Sequence, residues 1–161
     1  MELNQTKDAA LKFLTEPDRL TAVIGSCPSD GNTHVATVYY YVDTNFNFYF
    51  LTATNTRKYK NLLENQNAAI VVGFGPSYTT IQGQGTATLL EKSSQEENDA
   101  IARIKKRLQD HNSEIWPVFQ LDAYDKESIA VFKLIPDRLE LLNLEQNNGL
   151  VVTGESILQI L

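Results

Sequence analysis

The feature that most restricts this chain is a recurrence of short runs rich in β-branched and aromatic residues, each closed by a turn signal. Residues 21–26, 34–42, 48–52, 68–74 and 79–90 all have this character, and such residues suit a pleated, half-buried surface. Pro28-Ser29-Asp30-Gly31-Asn32 parts the first two runs. Gly and Asn accept positive φ and Asp closes local hydrogen bonds, so these two runs read as a hairpin. Asp43-Thr44-Asn45 turns the chain into the third. Gly83 and Gly85 lie in the fifth run and Gly75 just ahead of it. That predicts a sharply bent strand, or one whose backbone another group approaches closely. Two last strands are expected at 128–135 and 138–144, on either side of Pro136-Asp137.

Helical spacing is confined to a few places. Residues 4–15 place Ala10, Leu11 and Leu14 on one side and stop at Pro17, as an amphipathic helix would. Ser93 and Ser94 stand three residues before Glu96 and Glu97, a doubled capping-box signal. The helix they start carries Ala100, Ile101, Ile104 and Leu108 and fades near His111-Asn112. Pro117 marks an irregular segment with Trp116 and Phe119, and residues 149–161 suggest a strand and a short helix. At 161 residues the chain reads as one domain, residues 1–161, with a core at about 20–144. Six or so antiparallel strands with two or three helices define a mainly β fold, a small barrel with peripheral helices.

Composition excludes several functions. The net charge of −6 argues against nucleic-acid or anionic-membrane binding. Basic residues are scattered apart from Arg57-Lys58-Lys60 and Arg103-Lys105-Lys106-Arg107. The second group follows an acidic stretch of its helix and reads as a solvated face. Cys27 is the sole cysteine, which excludes an internal disulfide and any multi-cysteine metal site. With no neighbouring cation in sequence it reads as inert. His34 opens a strand and His111 closes a helix; both read as structural, and no metal site is expected. With neither a signal peptide nor an apolar run of membrane length, the protein is expected in the cytoplasm.

One local rule is broken. Phe48-Tyr49-Phe50-Leu51-Thr52 reads as an aromatic strand, and Tyr59, Leu62 and Leu63 have helical spacing. Asn55 or Thr56 would cap that helix. Arg57 and Lys58 then fall in its first turn, where cations are unfavourable by roughly 0.3–1 kcal/mol each. Two readings stay open: both side chains reach into solvent, or they and the free N–H groups hold an anion such as phosphate. No Walker loop, Ser-His-Asp order or carboxylate pair stands out, so chemistry would have to come from a held cofactor.

The order and spacing of several segments resemble the FMN-binding split-barrel family that includes pyridoxamine 5′-phosphate oxidase. They are Asp30-Gly31 with His34-Val35-Ala36-Thr37-Val38-Tyr39, Phe50-Leu51-Thr52 with Thr56-Arg57-Lys58, Asn61-Leu62, and Asn65-Gln66-Asn67. Ala69-Ile70-Val71-Val72 and Gly83-Gln84-Gly85-Thr86-Ala87 continue the likeness, and Phe132-Lys133-Leu134-Ile135-Pro136-Asp137-Arg138-Leu139 fits more loosely. The resemblance implies a six-stranded antiparallel split β-barrel that forms a homodimer with FMN at the subunit interface. It implies that Arg57 and Lys58 grip the flavin phosphate, with Thr56 just before them and Leu51 and Thr52 near the cofactor. It implies that the backbone of Thr37, Val38 and Tyr39 lines the flavin ring, and that Thr80 or Gln82 adds a polar side chain.

The likeness fails at the C-terminus. Leu139-Glu140-Leu141-Leu142-Asn143-Leu144 and the residues after it lack the Trp-containing segment and Arg-x-His substrate motif of the true oxidases, so vitamin B6 oxidation is not expected. Trp116 could cover the cofactor of the partner subunit or pack as a lid on the core. The expected function is that of an FMN-dependent oxidoreductase acting on a small molecule, without a protein nucleophile. The alternatives are a non-catalytic module that stores or senses flavin, and a split barrel that takes deazaflavin or, through His34, haem.

Overall fold

The computed structural model describes residues 3–73, 79–112, 126–143 and 157–161. Phe74, Gly75, Trp116, Pro117, Phe119, Leu144 and the stretch 149–156 lie outside the described residues. The elements run α1 (Leu3–Leu14), β1 (Thr21–Ser26), β2 (His34–Val42), β3 (Phe48–Ala53), α2 (Arg57–Glu64), β4 (Asn67–Gly73), β5 (Thr79–Leu89), α3 (Gln95–Asn112), a short 3-10 turn (Lys126–Ser128), β6 (Ile129–Asn143) and β7 (Ile157–Gln159).

Six antiparallel strands in the order β3-β2-β1-β4-β5-β6 close into a barrel through pairing of β3 with β6. The expected hairpin is present, with Ser26 opposite His34 and Thr21 opposite Tyr39. Gly31 holds φ +81 in its turn. The interior is filled by alternate residues, among them Ile24, Tyr40, Phe48, Phe50, Ile70, Ile81 and Leu134. Phe50 and Phe132 stack across the β3–β6 seam with ring centroids 5.7 Å apart. Burying a side chain of this size contributes about 1.5–3 kcal/mol.

The expected strands at 128–135 and 138–144 are one continuous strand of 15 residues. Pro136 does not end it, because it sits at a bulge where the register with β5 slips. Gln84 faces Arg138 and Gly85 faces Pro136, leaving Asp137 as the extra residue. A bulge tolerates a residue with no N–H to give to the ladder. The glycines of β5 answer to the same strand. A Cβ on Gly83 would strike the Arg138 carbonyl and lie 2.8 Å from Leu139 Cδ1, and one on Gly85 would strike the Ile135 carbonyl and lie 2.7 Å from Pro136 Cα. The close approach expected from sequence is that of the chain's own β6.

Helix α3 lays Ala100, Ile104 and Leu108 on Tyr49, Leu51 and Val131, with Tyr39 and Tyr41 half-buried beside them. Strand β3 is thus covered on both faces, and Phe48 to Thr52 are all buried. Helix α3 starts from a capping arrangement in which Ser94 Oγ accepts from Glu97 N–H (3.2 Å) and Glu97 Oε2 accepts from Ser93 N–H (2.6 Å). Helix α2 closes one end of the barrel with Leu62, and Tyr59 meets Phe132 edge-on at 6.0 Å. Helix α3 covers the outer face of β2 only around Tyr39 and Tyr41; farther along, the outer face carries Val35, Val23 and Val71, which are 65%, 41% and 38% exposed. No described helix is long and apolar enough to cross a membrane.

Candidate functional site at the start of α2

Strands β2 and β3 pair only at Tyr40–Phe50, Tyr41–Tyr49 and Val42–Phe48. Before Tyr40, β2 pairs with β1 alone, while Leu51, Thr52 and Ala53 pair with β6. The two strands therefore part, and α2 begins on the β3 side of the split. Along residues 35–38 the edge of β2 turned away from β1 has no described strand beside it, so a ligand could reach its outward backbone groups.

Thr56 is the N-cap of α2: it has an extended φ of −86° and its Oγ1 accepts weakly from Tyr59 N–H at 3.4 Å. Its own hydroxyl donates to the Ala53 carbonyl at 2.8 Å, and Thr52 Oγ1 lies 2.8 Å from Thr56 Oγ1. Both threonines are thus engaged in shaping the turn. The next two residues are the cations. The first turn of α2 holds no acidic residue. Arg57 is exposed, whereas Lys58 is half-buried, and that burial holds its ammonium below the ordinary lysine range. No described carboxylate forms an ion pair with either. A half-buried ammonium with no counter-charge among the described residues, at a helix N-terminus, could take an anion from outside.

The remaining expected residues divide. The Leu51 side chain packs against α3, which leaves only its backbone for the split. Val38 is buried in the barrel, Thr37 is exposed on the open face and Tyr39 is half-buried, its phenol pushed up to about 12 by burial. Thr80 is buried and its hydroxyl donates to the Val72 carbonyl at 3.0 Å. Gln82 is half-buried on the open face, opposite Val71 and Glu140. Strands β1 and β4 stand between Gln82 and β2, roughly 14 Å at three strand spacings. One chain therefore brings Leu51, Thr52, Thr56, Arg57 and Lys58 to one corner and places Thr80 and Gln82 elsewhere. Gln82 borders a shallow cavity of about 340 Å³ with Gln84, Arg138 and Glu140, and a neighbouring one of about 440 Å³ is floored by Gly25 and Ala69.

Sequence reading missed the clasp between α2 and the β1–β2 turn. Asn61 Nδ2 donates to Ser26 Oγ (3.1 Å), Glu64 Oε1 accepts from Ser29 N–H (3.1 Å), and Asn65 Nδ2 donates to the Cys27 carbonyl (2.8 Å). Asn61 is buried, and the three bonds join residues 35 to 38 positions apart, so no local signal in the sequence pointed to them. Among the described residues, no group of three or more His, Cys, Asp or Glu is placed to hold a metal ion.

A closed six-stranded barrel split beside a basic helix start defines a class, and comparison with known proteins gives its family. The sequence profile of the pyridoxamine 5′-phosphate oxidase family matches residues 6–143, and the chain belongs to that family. Solved structures share the fold. A pyridoxamine 5′-phosphate oxidase-related, FMN-binding protein from Nostoc punctiforme is 16% identical, with a TM-score of 0.60 over 99% of this chain and 88% of that one. The haem-storage protein HutZ from Vibrio cholerae is 18% identical, with a TM-score of 0.67 over 86% and 94%. General Stress Protein 26 from Bacillus anthracis is 17% identical, with a TM-score of 0.60 over 85% and 93%. No curated protein matches the chain.

Proposed function

We propose that this protein is an FMN-binding oxidoreductase that acts on a small molecule as a homodimer, with the cofactor at the subunit interface. The observation that carries the reading is the Lys58 ammonium, half-buried beside Arg57 at the first turn of α2 and ion-paired to no described carboxylate. That pair suits the phosphate of FMN, and charge-assisted bonds of this kind are about twice as strong as neutral ones. The backbone of Thr37, Val38 and Tyr39 where β2 leaves β3, with that of Leu51 and Thr52, would line the ring. When bound, FMN supplies the hydride chemistry, and the protein anchors, orients and shields it. No protein nucleophile is invoked.

The exposed valines of the open face support the dimer. A second copy laid on Val23, Val35 and Val71 would remove an apolar patch from water, and the same face carries Gln82. Haem-binding neighbours with this fold give a second reading, in which His34 would be the ligand. One observation weighs against it. His34 Nδ1 is buried with no hydrogen-bond partner, whereas a ligating imidazole usually donates its other N–H to a carboxylate or carbonyl.

The test is the absorption spectrum of the protein as isolated, followed by release and mass analysis of whatever is bound. Flavin released on denaturation supports the reading; haem, deazaflavin or a protein that takes up no added FMN overturns it. Anaerobic mixing of the flavin-loaded protein with NADH or NADPH then separates enzyme from carrier. Bleaching at a turnover-relevant rate supports the oxidoreductase, and a flavin that no donor reduces favours storage or sensing.

A further inference from the structure

Helix α2 is held to the barrel in two ways. Leu62 sinks into the core and Tyr59 meets Phe132 edge-on, but apolar contact is non-directional and leaves a short helix room to roll. A buried polar bond fixes the roll. Asn61 Nδ2 donates to Ser26 Oγ at 3.1 Å, and the two residues are only 6% and 2% exposed. Asn61 follows Lys58 by three residues and Arg57 by four, spacings that make side chains neighbours on a helix surface. The bond therefore sits one turn below the cation pair, about 4.5–6 Å along the axis. Ser26 stands on the other side of the split. It ends β1 opposite His34, and the edge of β2 that no described strand covers, residues 35–38, starts at the next position. The bonds that Glu64 and Asn65 add come from the last turn of α2 and are exposed or half-buried, where water competes for them.

Resting on the phosphate-site reading, we infer that Asn61 is a positioning residue: its bond to Ser26 fixes the span between the cation pair and the open edge of β2, so that one ligand meets both at once. A molecule that carries an anionic tail and a flat polar ring gains from a fixed span, whereas its two halves taken separately do not. Once one half is bound, the other arrives at a high effective concentration, and that gain is lost where the two contact points drift apart. Asn61 touches no ligand in this scheme. A buried amide–hydroxyl pair suits the task, because a rolled helix would leave both groups unpaired away from water.

The experiment cuts the bond from either side, with Asn61→Ala and Ser26→Ala. Binding of FMN and of riboflavin, which lacks the phosphate, is followed by quenching of flavin fluorescence, and inorganic phosphate is measured by competition against FMN. Each variant should bind FMN about five- to twenty-fold more weakly, while riboflavin and phosphate change by less than about two-fold. The double variant should be no weaker than the weaker single one, because both remove the same bond. Where Asn61→Ala unfolds, Ser26→Ala, which loses a single oxygen, carries the test. FMN and riboflavin weakened in proportion would show that the bond only keeps the protein folded, and the positioning role is overturned. Phosphate lost in step with FMN overturns it too, since the cation site itself is then damaged. Variants that bind FMN as tightly as wild type overturn the role of Asn61 and leave the phosphate site standing. A wild type that binds neither FMN nor phosphate removes that site, and the role of Asn61 goes with it.

Discussion

Thr52 and Thr56 touch hydroxyl to hydroxyl at 2.8 Å across the turn that converts β3 into α2. Both also bond to the Ala53 carbonyl, at 3.3 and 2.8 Å. Thr56→Ala removes the cap and the partner of Thr52 together. It should lower stability by about 1 kcal/mol, read as a shift in the urea midpoint at unchanged slope, while Thr56→Ser should keep most of it. FMN affinity should fall in the Ala variant, because the first turn that presents Arg57 and Lys58 loosens.

Replacing Arg57 and Lys58 with Ala should leave the barrel folded, since neither side chain belongs to the core. FMN affinity should drop about 10- to 100-fold for each, the range expected for losing a hydrogen bond to a charged group. Riboflavin affinity should stay nearly constant. An equal loss for both ligands would show that the two cations contact something other than the phosphate.

Lys58 also predicts a pH dependence. Its folded pKa is lowered by burial, so between that value and the unfolded one the unfolded chain binds more protons and stability rises with pH. Below that window the half-buried ammonium is charged in both states and its desolvation counts against folding. A bound phosphate acts in the opposite sense, because it needs the charged form. FMN affinity should therefore weaken as pH rises through the same alkaline window, and Lys58→Arg should flatten the profile. Fluorescence titration across that range, with riboflavin as control, checks this.

Gly83→Ala should be far more damaging than its size suggests. The new methyl would meet the Arg138 carbonyl and Leu139 of β6, and backbone cannot step aside as a flexible side chain can. A loss toward the upper end of the roughly 1–3 kcal/mol typical of overpacking, or beyond it, is expected. Gly31→Ala has open space but φ +81, so about 1 kcal/mol is expected there. Chemical denaturation of both variants measures the difference.

Val23→Glu combined with Val35→Glu places charge on the open face without touching the barrel interior. The pair should turn a dimer into a folded monomer and reduce FMN retention, measured by light scattering after size exclusion. A variant that stays dimeric would move the interface to another surface.

Sequence alone reached most of the fold because its signals are local. Gly31 marks a turn, Thr56 a cap, and β-branched runs mark strands, each within a few residues of the structure they dictate. The continuity of β6 was hidden because Pro136 normally breaks a strand, and only the slipped register with Gly85 makes it harmless. The cation pair at the start of α2 was legible as a violated preference. The clasp of Asn61, Glu64 and Asn65 on the β1–β2 turn was not, since it joins residues 35 to 38 positions apart that no periodicity connects. The separation of Gln82 from the split was likewise a matter of strand order, which the sequence of the strands does not encode locally.

Strand β6 is the partner of both β3 and β5, pairing Ala53 with Ile129 and Leu89 with Phe132. A nascent chain that has not yet emerged as far as Ile129 therefore exposes two bare strand edges, one of them aromatic. Such edges recruit other chains, and pairings this distant in sequence form slowly. Synthesis of the protein thus passes through a sticky interval, and a helper that shields those edges until the last long strand arrives should raise its yield.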